Sequence, residues 1–193
     1  MLIDHHCHID RHEFTNDLDA VVARAHAAGV GMMVNISTRI RKFDDVKAVA
    51  ERFDSVYGSV GTHPHNAHEE LDIPVEEIVR LSRHPKVVSI GEAGLDYFYK
   101  DKAPRDAQET GFRRHIAAAR ETGLPLVIHS RDADADTIAI LEEETAKGAF
   151  SFVLHCYTGG MALAKRGVEL GGYVSFSGVL TFKKSEALRE IAM

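Results

Sequence analysis

No apolar run in this chain of 193 residues approaches the ~20 consecutive residues that cross a bilayer, so no membrane-spanning segment is expected. No Gly-, Ser- or Pro-rich linker and no low-complexity tract interrupts it, which argues for a single domain over 1–193. Only two cysteines occur, Cys7 and Cys156, and each directly follows a histidine. Period-2 alternation turns each thiol away from the face its histidine occupies, so both are expected to pack behind that face rather than to pair. The N-terminus reads straight into a strand, so a cleavable leader is not expected, and the cytoplasm is the expected compartment. An excess of basic charge is also missing, since the net charge is −6. The clusters Arg39, Arg41, Lys42 and Lys183, Lys184 read as solvated surface. This balance excludes a broad non-specific DNA footprint but not a small pocket that holds one strand end through metals.

What the chain does have is a repeated alternation of short apolar runs with helix-period segments, and 45% apolar residues to build a core. The runs predict strands at 1–4, 32–36, 56–60, 87–90, 125–128, 150–154 and 173–176. Between them, helices are predicted at 17–28, 40–52, 75–82, 105–122, 134–147, 160–170 and 184–191. Gly29, Gly123, Gly148 and Gly171 fall where helix C-terminal caps belong. Strands this apolar need burial on both faces, which implies a parallel sheet of βα units.

The polar residues then choose the architecture. His6 and His8, His63 and His65, Glu92, His129 and His155 all stand at or just past the C-terminal ends of different predicted strands. Those ends converge on one face of a (β/α) TIM-type barrel, whereas an open doubly wound sheet gathers ligands mainly at one switch point. The expected fold is therefore an α/β barrel, incomplete at about seven strands with the eighth missing.

His6 and His8 share one face of an extended segment and form a two-pronged clamp for a divalent cation. Glu92 is delivered between Gly91 and Gly94, and a carboxylate there can bridge two cations ~3.5–4 Å apart. His129 and His155 each close an apolar run. Either alone is an ordinary core histidine, but beside the clamp and the glutamate they read as ligands. His63 and His65 flank Pro64, which stiffens their loop, and are expected to face substrate as phosphate-oxygen donors or as the proton donor to a leaving group. Arg131 offers a fixed fork suited to phosphate. Asp96, four residues beyond Glu92, is expected only to shape its loop. Tyr97, Phe98, Tyr99 and Tyr157 are candidates for base stacking, with core packing the equal alternative.

These residues resemble those of one family, the TatD-type metal-dependent deoxyribonucleases within the amidohydrolase-like barrels. The resemblance is carried by Asp4-His5-His6-Cys7-His8-Ile9-Asp10, Gly61-Thr62-His63-Pro64-His65, Gly91-Glu92-Ala93-Gly94-Leu95-Asp96-Tyr97, Ile128-His129-Ser130-Arg131-Asp132-Ala133 and His155-Cys156-Tyr157-Thr158-Gly159-Gly160, in family order. It extends through Ser175-Phe176-Ser177-Gly178 to Phe182-Lys183. It implies a first metal on His6 and His8 with Glu92 bridging, and a second on Glu92, His129 and His155. The cofactors implied are two divalent ions (Mg, Mn or Zn). The activity implied is hydrolysis of DNA phosphodiesters, trimming single strands from a 3′ end by a two-metal-activated water, with Glu92, His63, His65 and Arg131 in the catalytic apparatus.

One departure stands out. The family pattern continues into an eighth strand ending in Glu-Thr-Asp, whose aspartate is a first-metal ligand and the base for the attacking water. The sequence ends at Met193, within the helix expected before that strand. This predicts unpaired edges on strands 1 and 7, self-association through the open edge, weak first-site occupancy and impaired hydrolysis. Two other readings compete: an amidohydrolase-like barrel acting on a small amide or ester, and a non-catalytic metal- or nucleic-acid-binding remnant. The number of phosphate donors favours the nuclease, because a neutral amide needs fewer.

Overall fold

The βα alternation builds a seven-stranded, all-parallel sheet in the computed structural model, which describes residues 1–99 and 101–193. The strands are β1 (Leu2–Cys7), β2 (Val30–Asn35), β3 (Val56–Val60), β4 (Val87–Asp96), β5 (Leu126–Arg131), β6 (Phe152–Leu154) and β7 (Tyr173–Val174). They lie side by side in chain order, each paired in parallel with the next. The sheet curls into an incomplete TIM-like barrel. The curl brings His5 Nε2 of β1 within 2.7 Å of Ser175 Oγ, one residue past β7.

Helices α1 (Leu18–Ala27), α2 (Phe43–Arg52), α3 (Val75–Ser82), α4 (Arg105–Thr122), α5 (Asp134–Lys147), α6 (Met161–Glu169) and α7 (Glu186–Ala192) fill the crossovers. Local chemistry explains their limits. Pro74 and Pro104 immediately precede α3 and α4, and Glu76, Glu77, Asp134 and Asp136 sit in first turns, where the helix dipole favours negative charge. Gly123 ends α4 in the left-handed conformation at φ 71°. No helix among the described residues is long and apolar enough to cross a membrane.

The main core packs β3–β6 against the helices around Ile90, Leu95, Phe112, Ile116, Leu126 and Ile128. A smaller cluster under β1 and β2 gathers Ile9, Leu18, Val22, Met33, Val49 and Val56. Burial on both faces holds for β3 and β4 but not for β1. Leu2 and Ile3 remain 64% and 56% exposed because β1 stands at one end of the sheet.

Several expected boundaries move. β4 runs from Val87 to Asp96 rather than over 87–90, and all of it except Val88 is buried. Gly91, Ala93 and Gly94 carry too little side chain to end the strand, so it continues tightly between β3 and β5. A Cβ on Gly94 would run into the His129 carbonyl of β5, its register partner. Gly61 likewise faces the Gly91 backbone with no room for a side chain. This crowding lets β3, β4 and β5 present residues to a common point. β7 is shorter than 173–176, and β1 extends to Cys7.

Candidate metal centre

Glu92 lies just past the middle of β4 and is 2% exposed. Each of its oxygens meets a different set of imidazoles. Oε2 lies 3.3 Å from His6 Nε2 and 3.8 Å from His8 Nε2, both delivered by the end of β1. Oε1 lies 2.7 Å from His155 Nε2, 3.1 Å from His129 Nδ1 and 3.6 Å from His63 Nε2. Residues from the ends of β1, β3, β5 and β6 thus converge on one carboxylate of β4, as the barrel reading requires.

Two triads have ligand atoms close enough to share a cation: His6, His8 and Glu92, and His63, Glu92 and His129. The first is the expected clamp. The second differs from the expected division, with His63 in the place given to His155. The His155 ring instead stacks on His6, with centroids 3.9 Å apart and planes at 3°, while keeping its contact with Glu92.

Hydrogen bonds sort the imidazoles by role. His8 Nδ1 lies 3.0 Å from the Ile36 carbonyl, to which it can only donate, and this leaves the Nε2 lone pair facing Glu92. His63 Nδ1 accepts from the His65 backbone N–H at 3.1 Å. Neutral His63 therefore carries its proton on Nε2 and is a donor at the site. His6 Nδ1 and His155 Nδ1 are buried with no hydrogen-bond partner among the described residues.

Charge follows burial and contact. Burial pushes His8 and His155 below the usual imidazole range and His63 down to about 3, which keeps all three neutral. Burial also works against the charge on Glu92. The attraction of His155 and the hydrogen bonds from His129, His155 and His6 outweigh it and hold the carboxyl well below its ordinary value. His129 is the exception among the rings. Burial would lower it, but bonds to Asp96 and Glu92 raise it to about 9. The Nε2 lone pair of neutral His8, the neutral His155 ring and the buried, ionised Glu92 carboxylate are donors for a divalent cation, which would displace the proton on His129, so these residues fit such an ion.

Asp96 carries more than a loop. It ends β4, is 1% exposed, and its Oδ2 accepts from His65 Nε2 and His129 Nε2, both at 2.9 Å. Those bonds overcome burial and lower its pKa. Gln108 of α4 pins the strand end here, accepting from Asp96 N–H at 2.7 Å and donating to its carbonyl at 3.1 Å. The signal was present in the sequence: Glu92, Gly94 and Asp96 share one face of an extended strand.

Arg131, at the end of β5, lies with its guanidinium carbon 3.7 Å above the Phe98 ring centroid. It lines a cavity of about 570 Å³ together with His6, Glu92 and His155. Arg11 and Thr38, not singled out from sequence, line it as well.

The two cysteines part ways. Cys7 packs into the smaller core with its thiol 3.4 Å from the Val34 carbonyl, and burial pushes it up to about 12. Cys156 corrects the expectation of packing behind the site. It adopts φ 43°, which breaks strand alternation, and stands exposed on the cavity rim with Sγ 3.0 Å from Ser177 Oγ.

Comparison with known proteins agrees with this geometry. The family described as TatD related DNase matches residues 3–193. An uncharacterized metal-dependent hydrolase of Bacillus subtilis (strain 168), YabD, is 38% identical over 191 residues, covering 99% of this chain and 74% of that protein. A protein of Klebsiella pneumoniae (strain 342) named 3′-5′ ssDNA/RNA exonuclease TatD is 34% identical over 182 residues, covering 93% of this chain and 68% of that protein. Among solved structures, the TatD homolog YJJV of Escherichia coli k12 superposes with a TM-score of 0.89 at 30% identity, covering 98% of this chain and 73% of that one.

Proposed function

Because the chain belongs to the TatD-related DNase family and is a metal-dependent hydrolase, we propose that it hydrolyses DNA phosphodiester bonds, trimming single strands from the 3′ end. The observation that carries this reading is the split of Glu92. One oxygen faces His6 and His8, the other faces His129, His155 and His63, as a carboxylate bridging two cations requires. His6, His8 and Glu92 would hold the first ion and Glu92, His129 and His155 the second, because His63, though close enough to belong to that group, carries its proton on the nitrogen that faces Glu92. When bound, divalent ions (Mg, Mn or Zn) would supply water activation and positive charge for the phosphorus oxygens.

The chain's own residues supply the remaining work. His63 presents an N–H at the Glu92 end of the cavity, suited to a non-bridging phosphate oxygen or to the departing oxygen. His65, whose Nε2–H is taken by Asp96, positions His63 through its backbone N–H and stands beside it. Arg131 brings a permanent positive charge to the same cavity. That number of donors suits an anionic diester better than a neutral amide.

The test uses a single-stranded DNA labelled at its 5′ end, with Mg²⁺, Mn²⁺ or Zn²⁺. Stepwise shortening from the 3′ end, lost in His6→Ala and Glu92→Ala, is the expected result. Shortening from the other end, or turnover of amides and lactones with intact DNA, overturns the reading.

A further inference from the structure

Phe98, which lines the cavity that holds Glu92, is half exposed, and Tyr99 beside it is 40% exposed, so two large rings are kept in water here. A lone exposed ring is ordinary on a protein surface. This pair is different because its geometry is fixed from several sides. The Arg131 guanidinium lies over one face of Phe98, with its carbon 3.7 Å from the ring centroid. Tyr99 meets Phe98 edge to face, at 4.8 Å and 86°, and meets the His65 ring at 5.3 Å and 88°. The backbone N–H of Phe98 donates to Asp96 Oδ1 at 3.1 Å, while Oδ2 of the same carboxylate takes His65 and His129. One carboxylate therefore sets both the ring and the histidines of the site.

We propose that Phe98, backed by Arg131, is a stacking platform for the nucleobase adjoining the phosphodiester held at Glu92. The preferred ligand is then a base-bearing strand end rather than a simple phosphate ester. A ring fixed in plane loses little freedom on binding, and every base has a π-face, so the platform selects for a base without selecting which one. Arg131 serves both parts of the ligand, holding the ring from behind and adding positive charge where the phosphate lies. The proposal rests on the phosphodiester reading above.

Two strands separate the two ideas: one ending in adenosine at its 3′ side, the other with an abasic 3′-terminal residue. The wild type is expected to show a KM on the order of 10-fold lower for the adenosine end, from the stacking free energy of one base. Phe98→Leu collapses that preference towards one, and Phe98→Trp restores it. A preference that survives Phe98→Leu, or is absent from the wild type, overturns the platform while leaving the nuclease reading standing. If the wild type cuts neither strand, the nuclease reading falls, and a strand ending in 2-aminopurine decides stacking without turnover. Quenching of its fluorescence on binding, lost in Phe98→Leu and kept in Phe98→Trp, upholds the platform. Quenching that is absent, or equal in Phe98→Leu, refutes it.

Discussion

His129 Nε2 lies 2.9 Å from Asp96 Oδ2, while the opposite nitrogen of the same ring faces Glu92 Oε1 at 3.1 Å. The ring is held between two buried carboxylates of β4, Glu92 and Asp96, separated along the strand by Ala93, Gly94 and Leu95. A metal-binding imidazole commonly donates its second N–H to such a partner, which fixes ring orientation and raises ligand basicity. The His8–Ile36 carbonyl bond does the same on the β1 side.

Asp96→Asn keeps the volume and removes the charge that orients His129. Cation affinity is expected to fall about 10- to 100-fold, the usual cost of losing an outer carboxylate. Calorimetric titration with Mn²⁺, alongside far-ultraviolet circular dichroism to check the fold, measures this. An unchanged affinity would show that the carboxylate does not orient the ring.

Chelation is expected to abolish hydrolysis, and Mg²⁺, Mn²⁺ or Zn²⁺ to restore it. The same ions should stabilise the fold by mass action, by about 2.7 kcal/mol at a hundred times Kd. Thermal melts with and without the ion read this directly. In Glu92→Ala, which removes the carboxylate shared by both triads, the ion-dependent rise in Tm should vanish.

Gly94 and Gly29 both adopt positive φ, at 140° and 88°. A Cβ on Gly29 meets open space, whereas one on Gly94 collides with the His129 backbone. Gly29→Ala should therefore cost only conformational strain, about 1 kcal/mol. Gly94→Ala adds a backbone clash that nothing flexible can relieve and should cost about 3 kcal/mol or more, with loss of cation binding. Urea denaturation of the two variants gives the comparison, and equal costs would refute the packing argument.

Glu144 of α5 is buried and bonded to Lys147 at 2.6 Å, Arg113 at 2.9 Å and Arg120 at 3.2 Å, tying α5 to α4. Burial alone would raise its pKa, but these three cations lower it. Its folded pKa thus lies below the unfolded value of about 4.3, so its contribution is present above that pH and is lost as pH falls through the folded value. Glu144→Gln should be about 1–3 kcal/mol less stable than the wild type at pH 7, and the gap should narrow as the pH drops below 4. A gap that stays constant from pH 7 to acid would show that the charge contributes nothing.

Element boundaries were legible where local chemistry writes them. Helices α3, α4 and α5 fall where they were predicted because proline, first-turn carboxylates or a terminal glycine mark their ends. β3 likewise matches its apolar run. The continuation of β4 past Ile90 was not legible by hydropathy. Gly91, Ala93 and Gly94 are weak strand residues in isolation, and only the close approach of β3 and β5 makes an extended path the one that fits. The turn at Cys156 was hidden for a similar reason, since strand alternation stops where the backbone enters the left-handed region.

The sequence by itself determined which chemistry this protein can carry. Histidines and a glutamate at successive strand ends, read through strand periodicity and the βα rhythm, specify a parallel sheet with a cation site at its C-terminal edge. The tertiary structure decided how those side chains divide the work. It put His6 and His8 on one oxygen of Glu92 and His129, His155 and His63 on the other, turned His63 into a donor, and made Asp96 the partner of both His65 and His129. The physical reason is that ligand type and spacing are local properties of the chain. Which nitrogen faces which oxygen depends instead on contacts made across strands tens of residues apart, once Gly61 after β3 and Gly91 and Gly94 of β4 let those backbones close together.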